Sequence, residues 1–267
     1  MIKILLLGDV VGRPGRRALT HILPDFRRSN GIDFCIANGE NAAGGRGITR
    51  SVYKELRAAG VDVVTLGDHA WDQDDALELV DTEAEALRPG NGQSSLPGRG
   101  WNVYQRPGGR TVAVVNVIGR VFMPPLFSCP FEYVDHVLEE LKKSDVRIII
   151  VDIHAEATSE KIAMGHHLNG RVSAVFGTHT HVQTADEQIL SNGTAFITDL
   201  GMSGPMDSVL GREVDAVLRK FTSGLPTRMP VATDDVRIQG AIVEVNERTG
   251  RAESIRRIQE RHLMESW

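Results

Sequence analysis

Five short aliphatic runs in this chain end alike, each delivering a carboxylate, an amide or an imidazole at its C-terminal end. The first reads Leu7-Gly8-Asp9, the second Ala37-Asn38-Gly39-Glu40-Asn41 and the third Leu66-Gly67-Asp68-His69. Two later runs end Val151-Asp152-Ile153-His154 and Phe176-Gly177-Thr178-His179-Thr180-His181. Short runs that are aliphatic throughout read as strands buried on both faces, and helical patterns between them point to an α/β fold with helices on both sides. In open α/β sheets, ligands bind at the carboxyl ends of the strands.

The coarse element order follows from the same alternation. Ile2–Leu7, Phe34–Ala37, Val61–Leu66, Thr111–Ile118, Arg147–Ile153, Val172–Phe176 and Ala195–Thr198 read as strands. Arg16–Arg28 reads as a helix that Pro24 kinks or ends. Ser51 is the expected N-cap of a helix over Val52–Ala59, which Gly60 stops. Asp74–Leu87 reads as an acidic helix ended by Pro89-Gly90, and the stretch from there to Pro107-Gly108-Gly109 as turns. Helices are expected over Phe131–Lys143, over Ser159–Leu168 with Ser159 as N-cap, and over Gly211–Phe221. Gln239–Val245 reads as a late strand at a sheet edge, and Arg256, Arg257 and Arg261 as a solvated basic tail. Nothing resembling a linker or repeat divides the chain, so one domain over residues 1–267 is expected.

Composition narrows the class. With 41% apolar and 24% charged residues, the chain resembles an ordinary globular protein. No apolar run approaches the roughly 20 residues of a membrane helix. Met1–Leu7 is too short for a signal-peptide core, and Cys35 and Cys129 fit reduced thiols, so a cytoplasmic location is expected. A net charge of −5 argues against a generic nucleic-acid coat protein.

Asp, Glu and His hold hard and borderline divalent metals, and the number gathered at the strand ends exceeds the needs of one ion. Each signal alone is weak. A lone Asp after a strand is usually a turn-former or a cap, and a single His is more often a satisfied half-buried imidazole. Gly177-Thr178-His179-Thr180-His181 is stronger, because histidines two apart after a strand lie on nearly the same side. Repetition over five strand ends gives the pattern its weight. His21, His136, the His166-His167 pair and His262 fall on helices or the tail and are assigned no chemistry. Gly44-Gly45-Arg46-Gly47 reads equally as a phosphate-approaching loop or a mobile one. Arg13, Arg16 and Arg17 read first as a solvated helix face, and Thr198–Pro205 as either a Gly-rich turn or a segment closing over the site.

At these residues the sequence resembles the calcineurin-like metallophosphoesterases, in which Asp, a bridging carboxylate, Gly-Asn-His, a lone His and Gly-His-x-His follow successive strands. A narrower branch fits better. Gly8–Arg16, Asn38–Gly45, His154–Lys161, Gly177–Val182 and Thr198–Gly204 are similar to the bacterial YmdB-like family of 2′,3′-cyclic nucleotide phosphodiesterases. The resemblance implies a four-layer α/β/β/α sandwich, two mixed sheets flanked by helices, with a dinuclear centre at the strand ends. By the same resemblance, Asp9, Glu40, Asn41 and His181 hold one metal, and Glu40 bridges to a second held by Asp68, His154 and His179. His69 is the non-ligand histidine beside the phosphate. The donors suit Fe or Mn first, with Zn or Mg as alternatives.

The sequence departs from the superfamily pattern at two positions. Val11 stands where the first motif has a His, and Asn41 fills that vacancy. Asp68 stands where the family has Asn, which adds a negative charge, lowers the expected Lewis acidity of the metals and removes an amide donor. The implied reaction is in-line attack by a metal-bridging hydroxide, with His69 as general acid. The implied partners are a small cyclic nucleotide, no membrane, and other copies of the chain in a homo-oligomer, with RNA ends as an alternative substrate. Two alternatives remain open here: a phosphomonoesterase or RNA-end nuclease using the same metals, and a nucleotide- or RNA-binding regulator with weak turnover because of Asp68.

Overall fold

Side chains along the first strand alternate between two different cores. Ile2, Ile4 and Leu6 pack on one side and Leu5 and Leu7 on the other, so the middle of this strand is buried in apolar surroundings on both faces. The computed structural model describes residues 1–106, 109–124 and 126–262. The chain runs β1 (Ile2–Val10), α1 (Gly12–Asn30), β2 (Phe34–Asn38), α2 (Arg50–Ala59), β3 (Val63–Thr65), α3 (Ala76–Thr82) and β4 (Ala86–Leu87). It continues through β5 (Trp101–Arg106), β6 (Arg110–Ile118), α4 (Pro130–Leu141), β7 (Ile148–His154), α5 (Thr158–His167) and β8 (Ala174–Thr178). It closes with β9 (Gln188–Ile189), β10 (Ala195–Ile197), β11 (Met202–Pro205), α6 (Val214–Ser223), β12 (Val236–Val245) and β13 (Ala252–Arg261).

A seven-stranded sheet has the order β13-β12-β11-β1-β2-β3-β4, and a six-stranded sheet the order β5-β6-β7-β8-β10-β9. Both are mixed. β1, β2, β3, β4 and β11 run parallel, while β12 runs antiparallel to β1, β11 and β13. In the second sheet β6, β7, β8 and β10 are parallel, with β5 and β9 antiparallel at the edges. Ile4, Leu6 and Ile36 meet Val114, Ile150 and Phe176 between the sheets. Leu19, Leu23, Val52 and Leu56 of α1 and α2 cover the first sheet, and Val134, Leu138 and Met164 of α4 and α5 cover the second. The result is an α/β/β/α sandwich.

Several local expectations change in the folded chain. α1 passes through Pro24 and ends at Gly31, whose φ of 64° lets its N–H reach the last carbonyls. Thr49, not Ser51, caps α2 by accepting from the Val52 N–H. Helix α5 has no side-chain N-cap, so Ser159 does not serve as one. Only Ala76–Thr82 of the acidic segment is helical. Ala86–Leu87 instead pairs with Val64 and Thr65, because sheet hydrogen bonds outweigh helix propensity there. β12 is interior rather than an edge, with β13 outside it. The basic tail forms β13, in which Ile258 faces the core while Arg256 and Arg257 stay outside. The turn-rich stretch after Pro89 contains β5, and its Pro107 and Gly108 lie outside the described residues. Cys35 and Cys129 are free thiols. No described helix is long and apolar enough to cross a membrane.

Candidate metal centre

The C-terminal ends of β1, β2 and β3 in one sheet meet those of β7 and β8 in the other. The His179 N–H donates to Asp9 Oδ2 at 3.0 Å, tying the two edges together. One donor atom each from Glu40, Asp68, His154 and His179 falls within a 4.8 Å group. His154 Nε2 lies 3.2 Å from Glu40 Oε1, 3.1 Å from Asp68 Oδ1 and 3.0 Å from His179 Nδ1. His179 Nδ1 is 3.4 Å from Asp68 Oδ1.

Asp9, Asn41 and His181 form a second group beside the first. Asn41 Nδ2 is 3.0 Å from Glu40 Oε1 and 3.2 Å from His181 Nε2, and His181 Nε2 is 3.8 Å from Asp9 Oδ1. Glu40 Oε1 is thus the atom both groups touch. A half-turn of the Asn41 amide would present its oxygen to the same space. Val11 is buried in the core and contributes no donor.

The donor set fits metal ions. Asp9 Oδ1 is buried without a hydrogen-bond partner among the described residues. Acceptor atoms crowd together with few protons between them, an arrangement that cations relieve. Burial pushes the Asp9 carboxyl up, against the pull of His181 and His154. Burial acts likewise on Asp68, but hydrogen bonds with His154 and His179 outweigh it and hold that carboxyl far below the usual range. Burial pulls His154 down, yet Glu40 and Asp68 raise it well above an ordinary imidazole. Gly67 is required here: a Cβ on it would lie 2.1 Å from Glu40 Oε2 and 2.2 Å from His154 Nε2.

Side chains that sequence reasoning did not single out hold these groups in place. Thr178 Oγ1 donates to Asp152 Oδ1 at 2.8 Å, so it accepts from His154 Nδ1–H at 2.9 Å. That orients the ring so that Nε2 is the atom that faces the cluster. Thr65 Oγ1 donates to the other Asp152 oxygen at 2.5 Å. Glu156 Oε2 lies 3.3 Å from His179 Nε2, on the side of the ring away from the cluster's Nδ1 contacts. His179 and His181 take positive φ values of 99° and 63°, which cost energy for non-glycine residues. Buried Asp199 holds the intervening residue, accepting from Thr180 Oγ1 at 2.7 Å and from Thr180 N–H at 3.3 Å. The Thr198–Pro205 segment therefore braces the loop from within and supplies β11.

His69 lies beside the cluster. Its N–H donates to Glu40 Oε2 at 3.3 Å, and its Nδ1 is 2.8 Å from Asp72 Oδ2. Arg46 Nε donates to the same Asp72 oxygen, which brings the Gly-rich loop against this histidine. Arg16 donates to Ala42 O at 2.6 Å and to Glu55 at 2.7 Å, so it anchors that loop's start. Among the other histidines, His167 pairs with Asp135 at 2.9 Å and His21 with His262 at 3.3 Å, apart from the cluster.

Two mixed sheets packed between helices, with acids and imidazoles gathered at their C-terminal edges, define a calcineurin-like phosphoesterase fold. The sequence matches the YmdB-like protein family over residues 5–258. The chain belongs to that family. It is 42% identical over 257 residues to the 2′,3′-cyclic-nucleotide 2′-phosphodiesterase of Bacillus subtilis (strain 168), covering 96% of each chain. A crystal structure of a hypothetical protein from Thermus thermophilus superposes with a TM-score of 0.91 at 41% identity, covering 98% of this chain and 100% of that one. The crystal structure of a novel phosphatase from Mycoplasma pneumoniae gives 0.90 at 32% identity, covering 97% and 93%.

Proposed function

We propose that this protein is a metal-dependent phosphodiesterase that hydrolyses 2′,3′-cyclic nucleotides. The observation that carries the reading is the position of Glu40 Oε1, in contact with both donor groups. Asp9, Asn41 and His181 would hold one metal and Asp68, His154 and His179 the other, with Glu40 placed between the two groups as a ligand they would share. The relative from Bacillus subtilis, whose name gives that activity, supports the substrate class. Iron or manganese suits the mixed oxygen and nitrogen donors first, with zinc or magnesium as alternatives.

When bound, the cations would supply Lewis acidity toward the phosphoryl oxygens and lower the pKa of water. The protein's own groups do the rest. Asp72 accepts from Nδ1–H of His69 and leaves Nε2 as the atom that gives a proton to the departing ribose oxygen. The braced Thr180 loop keeps the two imidazoles from swinging apart. One domain over residues 1–267 carries the activity. Free Cys35 and Cys129 support a reducing cytoplasmic setting. The exposed apolar side chains of Leu218, Phe221 and Leu225 support a homo-oligomer.

The test pairs elemental analysis with hydrolysis of 2′,3′-cAMP and 3′,5′-cAMP. The expected result is two metals per chain and turnover of the 2′,3′-isomer. His69→Ala should lower turnover by about 10²–10⁴-fold at unchanged metal content. Metal-replete protein that leaves both nucleotides intact would overturn the proposal.

A further inference from the structure

A cavity of about 640 Å³ opens where the start of α1 faces the segment before β12. Arg13, Arg17, Arg212 and Arg228 line it, and no carboxylate does among the described lining residues. Met229 and Val231 supply an apolar wall. Arg13, Arg17 and Arg228 make no hydrogen bond or ion pair with any described residue, whereas Arg16, their neighbour, is tied to Glu55 and Ala42. The nearby acid Asp235 is engaged by Arg237 and Arg261. His262 also lines the cavity. Burial first, then His21 and Arg17, hold its imidazole below the ordinary value.

The cavity adjoins the metal centre through two short connections. Arg212 donates to Gly45 O, and Gly44 on the cavity rim is three residues past Asn41. On the other side His181 Nδ1 lies 3.1 Å from Leu210 O, two residues before Arg212. Two or three residues of chain reach at most about 7–11 Å, so an extended ligand can occupy both places.

Three guanidinium groups without a partner among the described residues, beside an apolar wall, suit phosphodiesters with bases attached: Arg matches phosphate bidentately, and bases settle on apolar or guanidinium surfaces. A mononucleotide has one phosphate, which the metal centre engages, and nothing left for these arginines. A terminal 2′,3′-cyclic phosphate requires a ribose at the chain end, so the polyanion is RNA. We infer that the arginine-lined cavity binds the upstream phosphodiesters of an RNA strand whose 2′,3′-cyclic phosphate end lies at the metal centre. This rests on the hydrolase reading above. In the reaction, water adds across one ester bond of the cyclic phosphate. The phosphate stays on one ribose oxygen, and the other oxygen leaves with a proton.

The test compares 2′,3′-cAMP with a six-nucleotide RNA ending in a 2′,3′-cyclic phosphate, using wild type and Arg17→Ala/Arg228→Ala. The wild type should favour the RNA by about tenfold or more in kcat/KM. The double variant should lose that advantage through KM and leave 2′,3′-cAMP turnover unchanged. Fluorescence anisotropy of the same RNA ending in a 3′-phosphate reads the cavity independently of hydrolysis. The slope of log affinity against log salt should fall by about 1.4 in the variant, two single-strand phosphate contacts. Loss of RNA binding in the variant while neither substrate is hydrolysed by wild type would keep the cavity assignment and remove the hydrolase reading. Equal effects of the substitutions on both substrates, or none on the RNA, would overturn the inference. Polyglutamate or AMP binding as tightly as the RNA would overturn it as well.

Discussion

Lys161 Nζ donates to Asp199 Oδ2 at 2.6 Å, with both side chains 1% exposed, and that same oxygen accepts from the Thr180 hydroxyl between His179 and His181. A buried ion pair is costly to break from one side, because the remaining charge has no water to solvate it. Lys161→Met should destabilise the fold by about 3–5 kcal/mol, read by urea denaturation. Lys161→Met with Asp199→Asn should recover part of the loss. A single variant as stable as wild type would show that the pair does not support the loop.

Gly67→Ala tests the cluster itself. The added Cβ would fall within 2.2 Å of His154 Nε2 and even closer to Glu40 Oε2, so both donors must move. Metal content by elemental analysis should drop below one ion per chain, with the far-UV circular dichroism retained. Wild-type metal content would disconnect this cluster from metal binding.

Thr178→Val removes the hydroxyl that orients the His154 ring. Loss of such a partner typically costs about 10–100-fold in metal affinity. Competition with a chromophoric chelator should show that loss. Thr178→Ser keeps the hydroxyl and should retain most of the affinity.

Asp72→Asn should lower kcat on the order of tenfold, less than removing His69, while metal content is preserved. The substitution replaces a carboxylate that accepts from both His69 and Arg46, so it loosens the proton donor without touching a metal-facing atom. Steady-state kinetics with metal analysis on one preparation separates the two effects.

Asp186 gives a pH-dependent prediction away from the cluster. Burial pushes its carboxyl up, but the Thr184 and Thr198 hydroxyls and the Thr198 N–H outweigh this and hold it below the ordinary 3.8. A depressed folded-state pKa stabilises above the unfolded value and loses that contribution as pH falls through the folded one. Asp186→Asn should therefore flatten the acid limb of the stability curve below about pH 4. An unchanged acid limb would remove the argument.

The residues proposed as ligands were legible because each ends an aliphatic run, where chain direction alone puts it at a sheet's carboxyl edge. Asp72, Thr178, Glu156 and the Lys161–Asp199 pair gave no such signal. Each acts through a partner: Thr178 accepts from His154 across 24 residues, and Lys161 pairs with Asp199 across 38. Strands β4 and β11 were hidden for a related reason. Ala86–Leu87 and Met202–Pro205 carry no strand pattern of their own and are extended because β3 and β1 offer hydrogen bonds.

The amino-acid order by itself determined the alternation of buried strands and helices and the chemistry waiting at five strand ends. Those properties depend on neighbours a few residues apart, which periodicity records. Only the tertiary structure decided that the two sheets face each other with their carboxyl edges together. It alone brought Asn41 and His181, 140 residues apart, to 3.2 Å. It also left three arginines of the cavity without acidic partners among the described residues. Such distances come from packing the Ile4, Ile36, Val114 and Phe176 side chains between the sheets, a long-range burial that no local pattern encodes.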